Sequence, residues 1–276
     1  MIYAFDRETT ADKVADCHWQ LKIAPDWNIG SNPNGGYLLA CTLRAMETLV
    51  PDSLEPIAAT AHYLRPGISG QIADIKANTI RVGRRTATVS GALQQDGKIR
   101  LTCTATFGLP GSSSNDSDTK PENGDQSVRS LSISAPALPP PDECTARSEL
   151  AQAIELPIMN RLEIRVDPKH AEANLHNDAA LAGWIRFRDQ REPDVLALSL
   201  FCDSFPPSIF TRYGPIGWVP TIELSVHARR KPHPGWIKGV FTTSDLAGEL
   251  FIEDGILWDE KDNLVARSRQ LQMILT

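Results

Sequence analysis

The sequence predicts an α+β chain made of two tandem copies of one module, each an antiparallel sheet wrapped around a long apolar helix. Three observations carry that prediction. A His-x-x-Arg strand with a Pro-Gly break after it occurs twice, as Ala61-His62-Tyr63-Leu64-Arg65-Pro66-Gly67 and as Val226-His227-Ala228-Arg229-Arg230 with Pro234-Gly235 beyond. Each half then closes on a turn feeding a final strand: Asp96-Gly97 before Lys98 to Phe107, and Asp262-Asn263 before Leu264 to Gln270. The histidine-to-histidine offset and the turn-to-turn offset agree within one residue, which ties the two patterns to one duplicated unit.

In the first half Asn32-Pro33-Asn34-Gly35-Gly36 precedes a run from Tyr37 to about Leu49. There Leu38, Leu39, Cys41, Thr42, Ala45, Met46 and Leu49 fit helical spacing, and only Arg44 and Glu47 interrupt the apolar surface. A helix this apolar must be covered on most sides. From Ile57 to Phe107 the period changes to two, most clearly where Leu101, Cys103, Ala105 and Phe107 alternate with Thr102, Thr104 and Thr106.

Between Leu109 and about Cys144 the pattern dissolves into Gly-Ser-Ser-Ser-Asn-Asp-Ser-Asp, an acidic stretch and Pro139-Pro140-Pro141, the composition of a linker without a core. Residues 1–109 are therefore expected to form the first module, 110–144 the linker and 145–276 the second module. In the latter, Trp184 to Arg188 reads as a strand, Pro193 as a helix start, Asp194 to Ser204 as the helix, and Pro206-Pro207 as its stop. Thr221 to Arg229, Trp236 to Thr242, Gly248 to Trp258 and Leu264 to Leu275 supply strands, and the proline-rich segment from Phe205 to Pro220 a loop expected to shape a pocket.

Composition narrows the function. With 41% hydrophobic residues in 276 there is ample material for two cores, yet no apolar run reaches the ~20 residues a membrane helix needs. The start, Met1 to Glu8, lacks a basic and apolar leader, so a cytoplasmic location is expected. A net charge of −6 argues against nucleic acid as a partner. Five scattered cysteines read as reduced core thiols, and no His, Cys and carboxylate cluster has metal-ligand spacing, so neither a metal nor another cofactor is implied. Two basic clusters, Arg81 with Arg84 and Arg85, and Arg229 with Arg230 and Lys231, read either as solvated strand ends or as contacts to a phosphate-bearing ligand. Exposed sheet edges make pairing into a homo-oligomer an expectation.

Three polar residues fall on inward faces. Asp203 follows Leu196 and Leu200 at helical steps, and Gln270 shares a strand face with Leu264, Ala266, Ser268 and Ile274. Thr221 opens the strand after the helix. A buried carboxylate requires partners, and an Asp, a Thr and a Gln together can grip one water, the carboxylate taking its proton. Gly35, Gly36 and Tyr37 open the first helix, where unpaired N–H groups and the positive dipole end suit an oxyanion.

The apolar helix wrapped by an antiparallel sheet, present twice, resembles the double hotdog architecture. Gly35-Gly36 opening the helix, His62-Tyr63-Leu64-Arg65-Pro66-Gly67 and the Asp-Gly hairpin resemble the bacterial acyl-CoA thioesterase II family over nearly the whole chain except the linker. The resemblance implies hydrolysis of a fatty acyl-CoA to free acid and CoA through an activated water. It matches Asp203, Thr221 and Gln270 to that family's Asp, Thr and Gln, brings Gly36 and Tyr37 to the active site, and makes CoA phosphates the ligand for Arg81, Arg84 and Arg85. The chain departs from relatives where they carry a strand His, offering Thr60 there; His62, two residues on, and His227 are assigned structural roles.

Two alternatives accompany this reading. A non-catalytic acyl-CoA or lipid-binding module would use the same fold for ligand capture. An enoyl-CoA hydratase is faintly echoed by Asp26 to Pro33, but no His lies between His18 and His62 to complete its acid/base pair.

Overall fold

The computed structural model describes residues 2–111, 131–150, 154–176 and 178–275. Their strands form one 13-stranded antiparallel sheet plus a two-stranded ribbon. In the N-terminal half, helix α1 (Ala4–Thr9) leads into strands β1 (Asp12–Ala15) and β2 (His18–Lys22), then the ribbon of β3 (Asn28–Ile29) and β4 (Asn32–Pro33), helix α2 (Gly35–Glu47), and strands β5 (Glu55–Tyr63), β6 (Ile72–Val82), β7 (Thr86–Gln95) and β8 (Lys98–Gly108). The C-terminal half holds β9 (Thr145–Ala146), β10 (Leu162–Val166), β11 (Ala180–Phe187), helices α3 (Val195–Phe201) and α4 (Phe210–Tyr213), then β12 (Thr221–Ala228), β13 (Ile237–Ala247), β14 (Leu250–Trp258) and β15 (Leu264–Met273).

Strand order is β1-β2-β6-β7-β8-β5-β12-β15-β14-β13-β11-β10-β9, which runs alike outward from the β5–β12 centre for six strands on each side, with β9 added at the C-terminal half's edge. The two marker strands β5 and β12 pair antiparallel at that centre, with Thr60 opposite Ser225 and their hydroxyls 3.0 Å apart. Thr60 and Ser225 are separated by the same interval as His62 and His227, so a pseudo-twofold axis runs between them. Both halves carry a register shift at matching places, between Pro56 and Ala58 on β5 and between Thr221 and Glu223 on β12. His62 and His227 lie exposed on the outer face, His62 opposite Glu223 and His227 opposite Ala58.

Ten of the thirteen α2 residues are buried, because the sheet curls around it on one side and α3 covers another. The second helix is shorter than its pattern: only Val195 to Phe201 is α-helical, capped by Asp194 accepting from the Ala197 N–H at 2.7 Å. Cys202 to Ser204 continue as turns, so Asp203 lies just past the helix instead of on it. The Asp96-Gly97 turn is a two-residue hairpin with both residues at positive φ. Its counterpart is instead a longer loop in which Asp259 accepts from the Lys261 and Asn263 N–H groups.

Of the expected linker, residues 112–130 lie outside the described residues. The part that follows runs over the second half, its Ile133 and Pro139 carbonyls accepting from the Trp258 and Trp184 indoles and its Pro136 carbonyl from Lys238. The Phe205 to Pro220 segment contains α4 and packs Ile209, Phe210, Ile216 and Val219 around Phe251, Ile274 and Ala179 as a small second core. Among the described residues no helix is long and apolar enough to cross a membrane.

Candidate active site

The candidate centre lies where the N-terminus of α2 meets the turn after α3. Glycine is required at this crossing: a Cβ on Gly36 would stand 2.8 Å from the Ser199 carbonyl and 2.9 Å from Leu200 Cα, so only the bare backbone lets the helices touch. The contact delivers Asp203 to the first turn of α2. Its Oδ2 accepts from the Gly36 N–H at 2.8 Å and from Asn34 Nδ2 at 2.9 Å, and Asn34 Nδ2 also donates to the Asp203 carbonyl at 2.7 Å. Asn34 is at the same time the cap of α2, its Oδ1 accepting from the Tyr37 N–H at 2.9 Å.

Thr221 and Gln270 complete the cluster from the sheet. The register shift in β12 sets Thr221 opposite Gln272, diagonal to Gln270, and aims its hydroxyl inward. Thr221 Oγ1 lies 2.9 Å from Gln270 Oε1 and 3.4 Å from Asp203 Oδ1. One hydroxyl carries one proton, and the shorter contact takes it. Gln270 can accept because its Nε2 donates to Glu253 Oε1 at 3.1 Å, directly across from it on β14. Glu253 Oε2 in turn accepts from the Ser208 N–H at 2.5 Å. Once Glu253 is ionised the polar row has a fixed direction: Glu253 holds the amide nitrogen, the amide oxygen holds the Thr221 proton, and the Thr221 oxygen is left to accept.

The two Asp203 oxygens are correspondingly unequal. Oδ2 is anchored by two donors, while Oδ1 has only the long approach of Thr221 and is the more basic of the pair. Burial pushes the Asp203 carboxyl up to about 6, opposed by the Gly36 N–H, the Thr221 and Asn34 side chains and the Arg147 charge. Arg147 is itself buried and donates to the Ser204 carbonyl. Burial, with the Asp203 charge nearby, likewise pushes Glu253 up to about 7.

Asp203, Thr221, Gln270, Gly35 and Gly36, expected at one place, meet there. The rest of the expected site is corrected by the hydrogen bonds. The N–H groups of Gly36 and Tyr37 are occupied by Asp203 and Asn34, so the helix end holds the carboxylate and these two N–H groups are not free for an oxyanion. The Tyr37 side chain points elsewhere, its hydroxyl donating to the Glu8 carbonyl and its ring stacked on Trp27. Arg81, Arg84 and Arg85 are exposed around the β6–β7 turn, beside the Glu55 end of β5, whereas the centre is at the Tyr63 end, roughly 25 Å along the strand. Within one chain they do not join it.

Four residues escaped the sequence reading. Asn34 stands three before Tyr37 as a cap should, and Glu253 shares a period-two face with Phe251, Gly255 and Leu257, the same signal that exposed Gln270. Tyr63 shares the inward face of β5 with Ala59 and Ala61. Buried Arg147 has no such signal, since it comes from a short turn between strands. The duplicate location across the pseudo-twofold axis lacks the chemistry: Pro56 stands where Thr221 does, Ala105 where Gln270 does and Ala228 where Tyr63 does.

Comparison with known proteins agrees with this architecture. The Acyl-CoA thioesterase N-terminal domain family matches residues 23–108 and the Acyl-CoA thioesterase C-terminal domain family residues 137–274. An uncharacterised protein of Mycobacterium tuberculosis is 25% identical over 269 residues, covering 90% of this chain and 88% of its own. A crystal structure from Thermobifida fusca, described as a candidate thioesterase II, superposes with a TM-score of 0.83 at 27% identity, over 100% of this chain and 98% of that one. Two more share the fold: a hot dog protein of unknown function from Alicyclobacillus acidocaldarius (TM-score 0.82, 22% identity, 100% and 99% covered) and an acyl-CoA thioesterase II from Mycobacterium marinum (TM-score 0.75, 17% identity, 98% and 97% covered). With both domain families matched in order along a double hotdog, the chain belongs to the acyl-CoA thioesterase family.

Proposed function

We propose that this protein hydrolyses an acyl-CoA thioester to the free acid and CoA with Asp203 as general base on a water that Asp203, Thr221 and Gln270 hold. The observation that carries this reading is the unequal carboxylate: Asp203 Oδ2 is fixed by Gly36 and Asn34 while Oδ1 faces the Thr221 oxygen. A water between Oδ1 and Thr221 Oγ1 meets two acceptors and donates both hydrogens, which turns its lone pairs outward toward a carbonyl carbon. Attack passes a proton to Oδ1, and the same proton reaches the thiolate sulfur when the C–S bond breaks. A base that titrates near 6 is ionised at neutral pH yet basic enough to accept a proton in the transition state.

The test is thiol release across a panel of acyl-CoAs from acetyl to palmitoyl, with Asp203→Asn beside the native protein. Release that depends on chain length and disappears in the variant is the expected result. Full activity in Asp203→Asn refutes the mechanism, and binding of acyl-CoA without turnover by the native protein would make it a ligand-capture module.

A further inference from the structure

Of the donors at the start of α2, the Gly36 and Tyr37 N–H groups are already used by Asp203 and Asn34 and are not left for the thioester carbonyl oxygen. One hydroxyl beside Asp203 is uncommitted. Tyr63 is the last residue of β5 and points inward after Ala59 and Ala61, whose small side chains make room for the helices. Its ring lies against the start of α2: a Cβ on Gly35 would stand 3.0 Å from Tyr63 Cζ and equally 3.0 Å from Asp203 Oδ2. The phenol oxygen is buried and has no hydrogen-bond partner among the described residues.

An unpaired buried hydroxyl is a cost that phenylalanine at the same place would not carry. The hydroxyl becomes useful once an acceptor enters beside Asp203, and the thioester carbonyl is such an acceptor. We propose that Tyr63 is a further catalytic residue whose O–H donates to the thioester carbonyl oxygen and stabilises the negative charge that gathers there during attack. This rests on the hydrolase reading above. As the water oxygen bonds to the carbonyl carbon, the π pair moves onto the carbonyl oxygen facing Tyr63 and a water proton moves to Asp203 Oδ1. When the C=O bond re-forms the C–S bond breaks, the sulfur takes the proton from Asp203, and Tyr63 keeps its own throughout. Burial, together with the Asp203 charge, holds the phenol well above its ordinary range, so it stays a donor at every working pH.

The experiment is Tyr63→Phe assayed beside the native protein on the same acyl-CoA panel, with thermal denaturation of both. Removing one oxyanion donor should lower kcat about 100-fold. KM should stay within about twofold, since uniform binding is untouched. The pH at which activity rises, set by Asp203, should not move, and the thermal midpoint should be equal or higher because a buried unpaired hydroxyl is gone. A variant with kcat within about threefold of native, or one that loses rate together with stability, overturns the role of Tyr63. If the native protein hydrolyses the panel and Tyr63→Phe does so equally, only this inference falls; if the native protein hydrolyses nothing, the hydrolase reading falls with it.

Discussion

A carboxylate buried as the proposed general base should make the protein less stable than it need be, and Asp203→Asn measures by how much. The Asp203 carboxyl rises from 3.8 when exposed to about 6 in the fold. At 1.36 kcal/mol per unit, holding it ionised at pH 8 costs about 3 kcal/mol. Because the folded value is the higher one, the stability conferred by the protonated group is complete below about pH 4 and is withdrawn as pH rises through 6. Asparagine keeps the shape. Its oxygen can accept from Gly36 and Asn34, and its amide can donate to the Thr221 oxygen, which has given its own proton to Gln270. The variant should therefore be more stable than the native protein by about 3 kcal/mol at pH 8, and by under about 1 kcal/mol at pH 4. For a chain of this size that is a rise of about 6 °C in the thermal midpoint at the higher pH, with thiol release abolished. Scanning calorimetry of both proteins across that pH range is the assay. A variant less stable than native at pH 8, or a gap that does not grow with pH, would refute the account of Asp203 as a strained buried anion.

Other consequences follow from the same contacts. The native rate should climb with pH around 6, where Asp203 ionises, and level off above 7, where Glu253 is also ionised and fixes the Gln270 amide; a kcat/KM profile flat from pH 5 to 8 would contradict this. Glu253→Gln leaves one acceptor oxygen for the two donors Ser208 N–H and Gln270 Nε2, so the amide loses its fixed direction and kcat should fall about tenfold while the fold persists, as circular dichroism would check. Gly36→Ala forces α2 and α3 apart at the Ser199 carbonyl and should cost about 2 kcal/mol or more in denaturant unfolding, together with most of the activity.

The duplicated plan was legible because it lives in periodicity, and periodicity survives any choice of partner. Alternation along Leu101 to Phe107 and the repeat of the His-x-x-Arg strand gave the sheets, and Asp203, Thr221 and Gln270 stood out as polar residues on apolar faces. What stayed hidden depends on pairing. No local pattern says that the Gly36 N–H will be taken by a carboxylate from the other module, so a helix end that reads as an empty anion site turned out to be filled from within. The basic cluster at Arg81, Arg84 and Arg85 stayed between two readings for the same reason: it can be placed near or far from the centre only when the direction of β5 relative to α2 is known. Asp203 itself was found through a helix that ends before reaching it.

Division of the site between the modules explains why two copies are joined in one chain. Asn34, Gly36 and Tyr63 come from the first half, and Asp203, Thr221, Gln270 and Glu253 from the second. Neither half holds both the carboxylate and the helix N-terminus that anchors it. A symmetric pair of modules would build two such centres, one on each side of the Thr60 and Ser225 pairing, and each would carry the cost of a buried anion. Fusion removes that constraint, because each copy can then change independently. Pro56, Ala105 and Ala228 replace the polar residues at the second location, while their counterparts Thr221, Gln270 and Tyr63 keep them at the first. The strain of an ionised buried carboxylate is thereby confined to one centre, and the β5 to β12 pairing that joins the modules becomes the element on which its geometry depends.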